Sequence, residues 1–199
     1  MPSLCCGTSV GGRVRRTAAN GDEEYAILYR AWWPIGGACI AGHGKDKRQA
    51  SFETAMREEA DEELGLKVLE ATEVLTVHLP NLCSAPPADA FASPGHLWTV
   101  FDLEVAPDAR LLPDPEETRG AEWVTGDRLR EMAAATIAFA RSGRPAAEQP
   151  ADSLEAVWVE LCHRLGDITV SDADRSSVRG LYSSPPPEYY RGGRPGAGR

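Results

Sequence analysis

The chain has 199 residues, 42% of them hydrophobic and 26% charged, a balance that supports one real core with some surplus beyond it. Its 30 acidic residues outnumber 21 basic ones, giving a net charge of −9, which argues against a general polyanion binder such as a nucleic-acid protein. No run approaches the ~18 apolar residues of a membrane span. The start, Met1-Pro-Ser-Leu-Cys-Cys-Gly, lacks a basic stretch leading into an apolar one, so a cytoplasmic location with no membrane partner is expected. The five cysteines are an odd number without a CxxC pair, which fits reduced thiols better than a disulfide frame or a zinc site.

In chain order, β-branched and aromatic residues predict strands over 4–10, 25–31, 68–79, 97–105 and 121–125. Helices are predicted over 51–64 and 127–141, the second with Leu129, Met132, Ala133 and Ile137 as its buried stripe. Strands interleaved with two helices imply an α/β or α+β sandwich over residues 1–141, helices covering a mixed sheet. The proline-rich stretch 80–94 reads as a long loop, and 142–151 as a linker. A C-terminal helix over 152–166 follows, opened by the box-like Asp152-Ser-Leu-Glu155 and striped by Leu154, Val157, Trp158, Leu161 and Leu165. That stripe either packs on the main domain or serves a homodimer. The tail 183–199, rich in Pro, Gly and Arg, reads as disordered.

Residues 42–66, GHGKDKRQASFETAMREEADEELGL, carry the most information. Taking Phe52 as the origin of a helical wheel and advancing about 100° per residue, Ala55, Met56, Ala60 and Leu64 form one apolar arc. On the same wheel Glu59 at about 340° and Glu63 at about 20° fall inside that arc. Glu62 sits at the edge of the arc at about 280°, and Glu58 at about 240° points elsewhere. Carboxylates on a core-facing stripe are costly, and their i, i+3, i+4 spacing sets like charges together. A hard divalent cation, Mg²⁺ or Mn²⁺, compensates both effects and takes substrate phosphates as further ligands. A solvated acidic helix explains Glu58 and Asp61 well, and Glu59 and Glu63 poorly.

Gly44, Glu59, Ala60, Glu62, Glu63, Gly65 and Leu66 stand in register with G-x5-E-x7-R-E-U-x-E-E-x-G-U, and the segment resembles the Nudix box. More loosely the likeness runs from about Tyr25 to Met132 and includes Glu122-Trp123-Val124. It implies a Nudix-like α/β/α sandwich with a mixed sheet, a loop–helix–loop at the box, and Glu59, Glu62 and Glu63 as catalytic metal ligands for Mg²⁺ or Mn²⁺ at a diphosphate. Two positions depart from the pattern: Ala50 replaces its first Glu and Glu58 its Arg. In the family these residues support the site by pairing. Glu53 and Arg57, at i, i+4, offer a partial substitute.

Around the box, Gly42, His43, Gly44 and Lys45, with Lys47 and Arg48, either contact substrate phosphates or form an ordinary solvated turn. Glu116 or Glu117, in the loop Pro113-Asp-Pro-Glu-Glu-Thr118, supplies an extra carboxylate of the kind the family often uses, or is simply exposed. Trp32, Trp33, Trp98 and Phe101 read as core rather than base-stacking residues, with Trp33, next to Pro34, and Phe91 in the long loop as the better candidates for stacking on a base. The implied activity is metal-dependent hydrolysis of a diphosphate linkage in a small molecule, with nucleoside diphosphate derivatives as the generic substrate class. The alternative is a ligand- or protein-binding module without turnover, suggested by Ala50 and Glu58. An isoprenoid-diphosphate isomerase on the same fold would need a catalytic cysteine, and no supporting pattern surrounds Cys83.

Overall fold

Strand β1 (Thr8–Thr17) organises the sheet by pairing with three neighbours along its length. The computed structural model describes residues 5–44, 50–83 and 95–186. Strands β2 (Glu23–Arg30), β3 (Gly37–Ala38) and β4 (Ile40–His43) follow β1, and helix α1 (Phe52–Leu64) follows β4. Strands β5 (Val68–Leu79), β6 (His96–Val105) and β7 (Thr118–Thr125) then lead into helices α2 (Gly126–Arg141), α3 (Ala156–Arg164) and α4 (Asp172–Tyr182). The first part of β1 runs antiparallel to β4, Ser9 opposite His43, and parallel to β6, Thr8 opposite Leu97. Its far end turns to β2, Arg15 opposite Tyr25, and β2 carries β3 and β7. Strand β5 pairs antiparallel with β6. Among the described residues the result is a mixed seven-stranded sheet with four α-helices, the mixed α/β class expected.

Helix α1 packs on β4 and β1, α2 on β7 and β2, and α3 and α4 close over α2. Val10, Ile27, Ile40, Met56, Leu129 and Trp158 share one core, so the chain beyond residue 142 contributes to the same interior as the sheet. Among the described residues no helix is long and apolar enough to cross a membrane.

Several boundaries differ from the sequence expectation. Strand β1 extends to Thr17 because Arg13, which reads as polar, is buried by pairing: its Nε meets Asp102 at 2.7 Å and its Nη1 meets Asp167 at 2.6 Å. Strands β3 and β4 are too short and glycine-rich to show a period of two. The box-like Asp152–Glu155 does not cap a helix; α3 starts after Glu155, which makes no side-chain cap. Leu154 is instead extended, bridging to Gly37 and donating its N–H to the Met132 carbonyl. Within 142–151, Ala146–Glu148 form a 3-10 turn and the buried Gln149 amide donates to Ser153 Oγ and the Leu154 carbonyl. Helix α4 is an element beyond those expected; Ser171 caps it by accepting the Asp174 N–H, and its buried apolar residues Val178, Leu181 and Tyr182 stand at i, i+3, i+4. Of the proposed tail, only residues 183–186 are described.

Candidate active site

Helix α1 forms where its ends are satisfied. Ser51 Oγ accepts the Thr54 N–H at the start, and Gly65 ends the helix in the left-handed region at φ 61°, donating to the Ala60 and Asp61 carbonyls. Its buried face comprises Ala55, Met56, Ala60, Leu64 and, among these apolar groups, Glu63. Glu63 is 6% exposed and accepts the Ala41 N–H at 3.1 Å. Burial first, then the charges of Glu59 and Glu117, push its carboxyl up to about 8, while Arg30 pulls it down.

Glu59, Glu63 and Glu117 line one cavity of about 240 Å³. Glu59 lies against the backbone of Gly42, filling space that any side chain there would take. Glu117 comes from the loop before β7, held by its N–H to the Asp114 carbonyl and by its own carbonyl to the Ala31 N–H. Arg30 enters from the end of β2, with Nε 3.7 Å from Oε2 of the buried Glu155. Both atoms are buried and neither makes a hydrogen bond, and burial pushes the Glu155 carboxyl up. Trp33 and Trp98 add aromatic walls.

The other expected positions fall as follows. Glu62 and Glu58 are exposed, and neither lines the cavity. Glu116 is exposed while its neighbour Glu117 faces in. Ala50 is exposed just before the cap, and Arg57 pairs with Glu53 at 2.9 Å and donates to the Val68 carbonyl, away from the cavity. Gly42 and His43 line the cavity, but the Gly44 N–H is used by the Thr8 carbonyl, which takes it from any phosphate. Lys45, Lys47, Arg48 and Phe91 lie outside the described residues. Trp33 is buried on the cavity wall, whereas Trp32, expected in the core, is only half-buried and donates Nε1 to the Glu116 carbonyl.

Sequence reasoning missed Arg30, Glu155, Asn81 and a group of sulfur and imidazole donors. Cys83, His43 and His96 line the same cavity, with Cys5 behind them. Cys5 Sγ lies 2.9 Å from His96 Nε2 and 3.8 Å from His43 Nε2. A hydrogen bond with Cys83, then bonds with His43, His96 and the Gly7 N–H, hold the Cys5 thiol far below its usual range against the opposing effect of burial. His43 is raised, chiefly by its bond to Cys5. Cys83 therefore has the surroundings its sequence context did not suggest.

A larger cleft, about 600 Å³, lies between the end of β5 and helices α3 and α4. Two of its three arginines, Arg164 and Arg175, are already paired with Glu160, at 2.6 and 2.7 Å.

No family model and no curated protein sequence matches the chain. Solved structures do. The Nudix domain of NrtR from Shewanella oneidensis, complexed with ADP ribose, is 8% identical at a TM-score of 0.51, covering 83% of this chain and 90% of its own. DR0079 from Deinococcus radiodurans is 20% identical at a TM-score of 0.49, covering 79% and 81%. A MutT Nudix hydrolase from Burkholderia pseudomallei is 17% identical at 0.45, covering 60% and 83%. The arrangement of sheet, α1 and flanking helices is a Nudix fold.

Proposed function

We propose that this chain is a divalent-cation-dependent hydrolase of a diphosphate linkage, acting in the cavity lined by Glu59, Glu63 and Glu117. The observation that carries the reading is the convergence of these carboxylates, one of them buried, on a cavity that also holds Arg30. An all-oxygen, multiply anionic donor set suits Mg²⁺ or Mn²⁺ rather than a softer ion. Such an ion would also add counter-charge at Glu63, whose neighbouring cation Arg30 is shared with Glu155. A bound ion of this kind would neutralise the diphosphate and make a water acidic enough to attack phosphorus.

The chain's own groups supply the rest. Arg30 draws the phosphoryl charge into the cavity and orients it. Glu117, outside the helix, is the carboxylate placed to take a proton from the attacking water. Trp33 offers a flat apolar wall to the organic moiety of the substrate. Glu62, exposed, is outside the cavity lining, although the Nudix box counts it among the ligands. Nucleoside diphosphate derivatives, ADP ribose among them, are the class to try first.

The test is release of phosphate or monophosphate from a panel of nucleoside triphosphates, sugar nucleotides and dinucleotides, with and without Mg²⁺ or Mn²⁺. Turnover that requires the cation supports the reading. The exposure of Glu62 favours a second one, a module that binds such ligands without cleaving them. Cation-dependent binding with no product would establish that reading instead.

A further inference from the structure

The Cys5, His43, Cys83 and His96 side chains bring four donor atoms within 4.8 Å of one another. A tetrahedral ion with Zn–S near ~2.3 Å and Zn–N near ~2.0 Å needs its donors about 3.3–3.8 Å apart, so small side-chain shifts close the shell. Two contacts already bracket that range, Cys5 Sγ to His96 Nε2 at 2.9 Å and to His43 Nε2 at 3.8 Å.

The surroundings are set for ligation. His96 Nδ1 lies 2.9 Å from the Asn81 carbonyl oxygen, which only accepts, so Nδ1 donates there and Nε2, facing Cys5, is the ring atom left to ligate. Asn81 is itself fixed by Trp98, whose Nε1 donates to Oδ1 at 2.9 Å. The Gly7 N–H donates to Cys5 Sγ at 3.3 Å, a bond that favours the thiolate. The adjacent Cys6 turns elsewhere, to Thr8 Oγ1 at 3.1 Å and the Gly44 carbonyl at 3.9 Å.

We propose that Cys5, His43, Cys83 and His96 form a Cys₂His₂ site for a borderline-soft divalent ion of the Zn²⁺ class, separate from the carboxylates. Thiolate and imidazole donors select such an ion over Mg²⁺. Four protein ligands leave no open position, so the ion is structural. It ties the approach to β1, the end of β4, the chain after β5 and the start of β6 into one corner of the cavity, on a different wall from the carboxylates and sharing no ligand with them. On binding, the protons held by the two thiols and by His43, which must be neutral to ligate, go to solvent. This site does not depend on the diphosphate reading.

The test uses the full reduced chain, stripped of metal and titrated with Co²⁺. One equivalent is expected to produce thiolate-to-cobalt charge transfer and the intense visible absorption of a tetrahedral ion, displaced by Zn²⁺ and not by Mg²⁺ in large excess. Cys5→Ser and Cys83→Ser should each weaken Co²⁺ binding at least ~10-fold, no less than the loss of an outer partner does. Cys6→Ser should leave both spectrum and affinity unchanged. Because wild type alone gives the primary readout, a misfolded variant does not blunt the test. Absence of the charge-transfer band in reduced wild type overturns the proposal, as does a band that survives Cys5→Ser and Cys83→Ser in folded protein. Two thiols that stay fully reactive toward a thiol reagent in the presence of Zn²⁺ overturn it too. Mg²⁺-dependent turnover, measured on the same samples, reports on the carboxylates separately.

Discussion

Glu59 and Glu63 lie one turn apart on a single helix, whereas Cys5 and His96, in contact in the same corner of the molecule, are 91 positions apart in the chain. The carboxylate wall is written locally: a period of 3.6 residues places two acids on the buried stripe, and the structure buries Glu63 among Ala60, Leu64 and Met56. The thiol–imidazole wall is written in topology. It exists because β1 lies between β4 and β6, so that the residues just before β1, at the end of β4 and at the start of β6 meet. A periodicity argument can find the first kind of site and is blind to the second.

The largest expected effect is on the local wall. Glu63→Gln should lower cation-dependent turnover by ~10²-fold or more, the scale of losing a charged group that stabilises the transition state. Steady-state kinetics against wild type checks it. The same wall can be broken without touching a carboxylate. In Gly42→Ala the new methyl group takes the space of the Glu59 carboxylate. Because Glu59 is a flexible side chain, folding should survive while turnover falls ~10-fold or more, the cost of a misplaced group. Thermal melting and kinetics together separate these effects.

Glu63 also sets a pH dependence. Its carboxyl is raised from the ordinary 4.5 to about 8 by burial, so the folded chain binds more protons than the unfolded one between those values. Stability of the metal-free protein should therefore be highest at or below pH 4.5 as far as this group is concerned, and its contribution should fall as pH rises toward 8. Glu63→Gln should flatten the profile across that window in denaturant titrations, and saturating Mg²⁺ should flatten it in wild type. The smallest effect separates this chain from the full box pattern. Glu62 is exposed and off the cavity, so Glu62→Gln should reduce turnover less than ~10-fold, well short of the loss at Glu63. An equal loss would put Glu62 back among the ligands.

The sequence made α1 legible because its signals agree: the apolar arc, the acids within it, and Gly65 at the end. Strands β5, β6 and β7 were readable from their β-branched and aromatic content. Helix α4 also carries a signal, Val178, Leu181 and Tyr182 at i, i+3, i+4 behind the Ser171 cap, but the stripe is confined to its last half, next to the Pro-rich tail that reads as disordered. Asp152–Glu155 misled because a capping pattern is local, while Leu154 is held extended by Gly37 and Met132, more than a hundred and about twenty positions away. Arg30 carried no motif; its place on the cavity follows from where β2 ends relative to α1. The cysteines read as scattered thiols for the same reason, since CxxC spacing detects only ligands supplied by one turn of chain.

The most direct measurement is a Mn²⁺ titration of the metal-stripped protein followed by electron paramagnetic resonance. With the carboxylates as the site, wild type should bind Mn²⁺, Glu63→Gln should lose at least ~10-fold in affinity, and the exposed Glu58→Ala should bind as wild type does. Equal affinity in wild type and Glu63→Gln, or a loss in Glu58→Ala as large as that in Glu63→Gln, would contradict it.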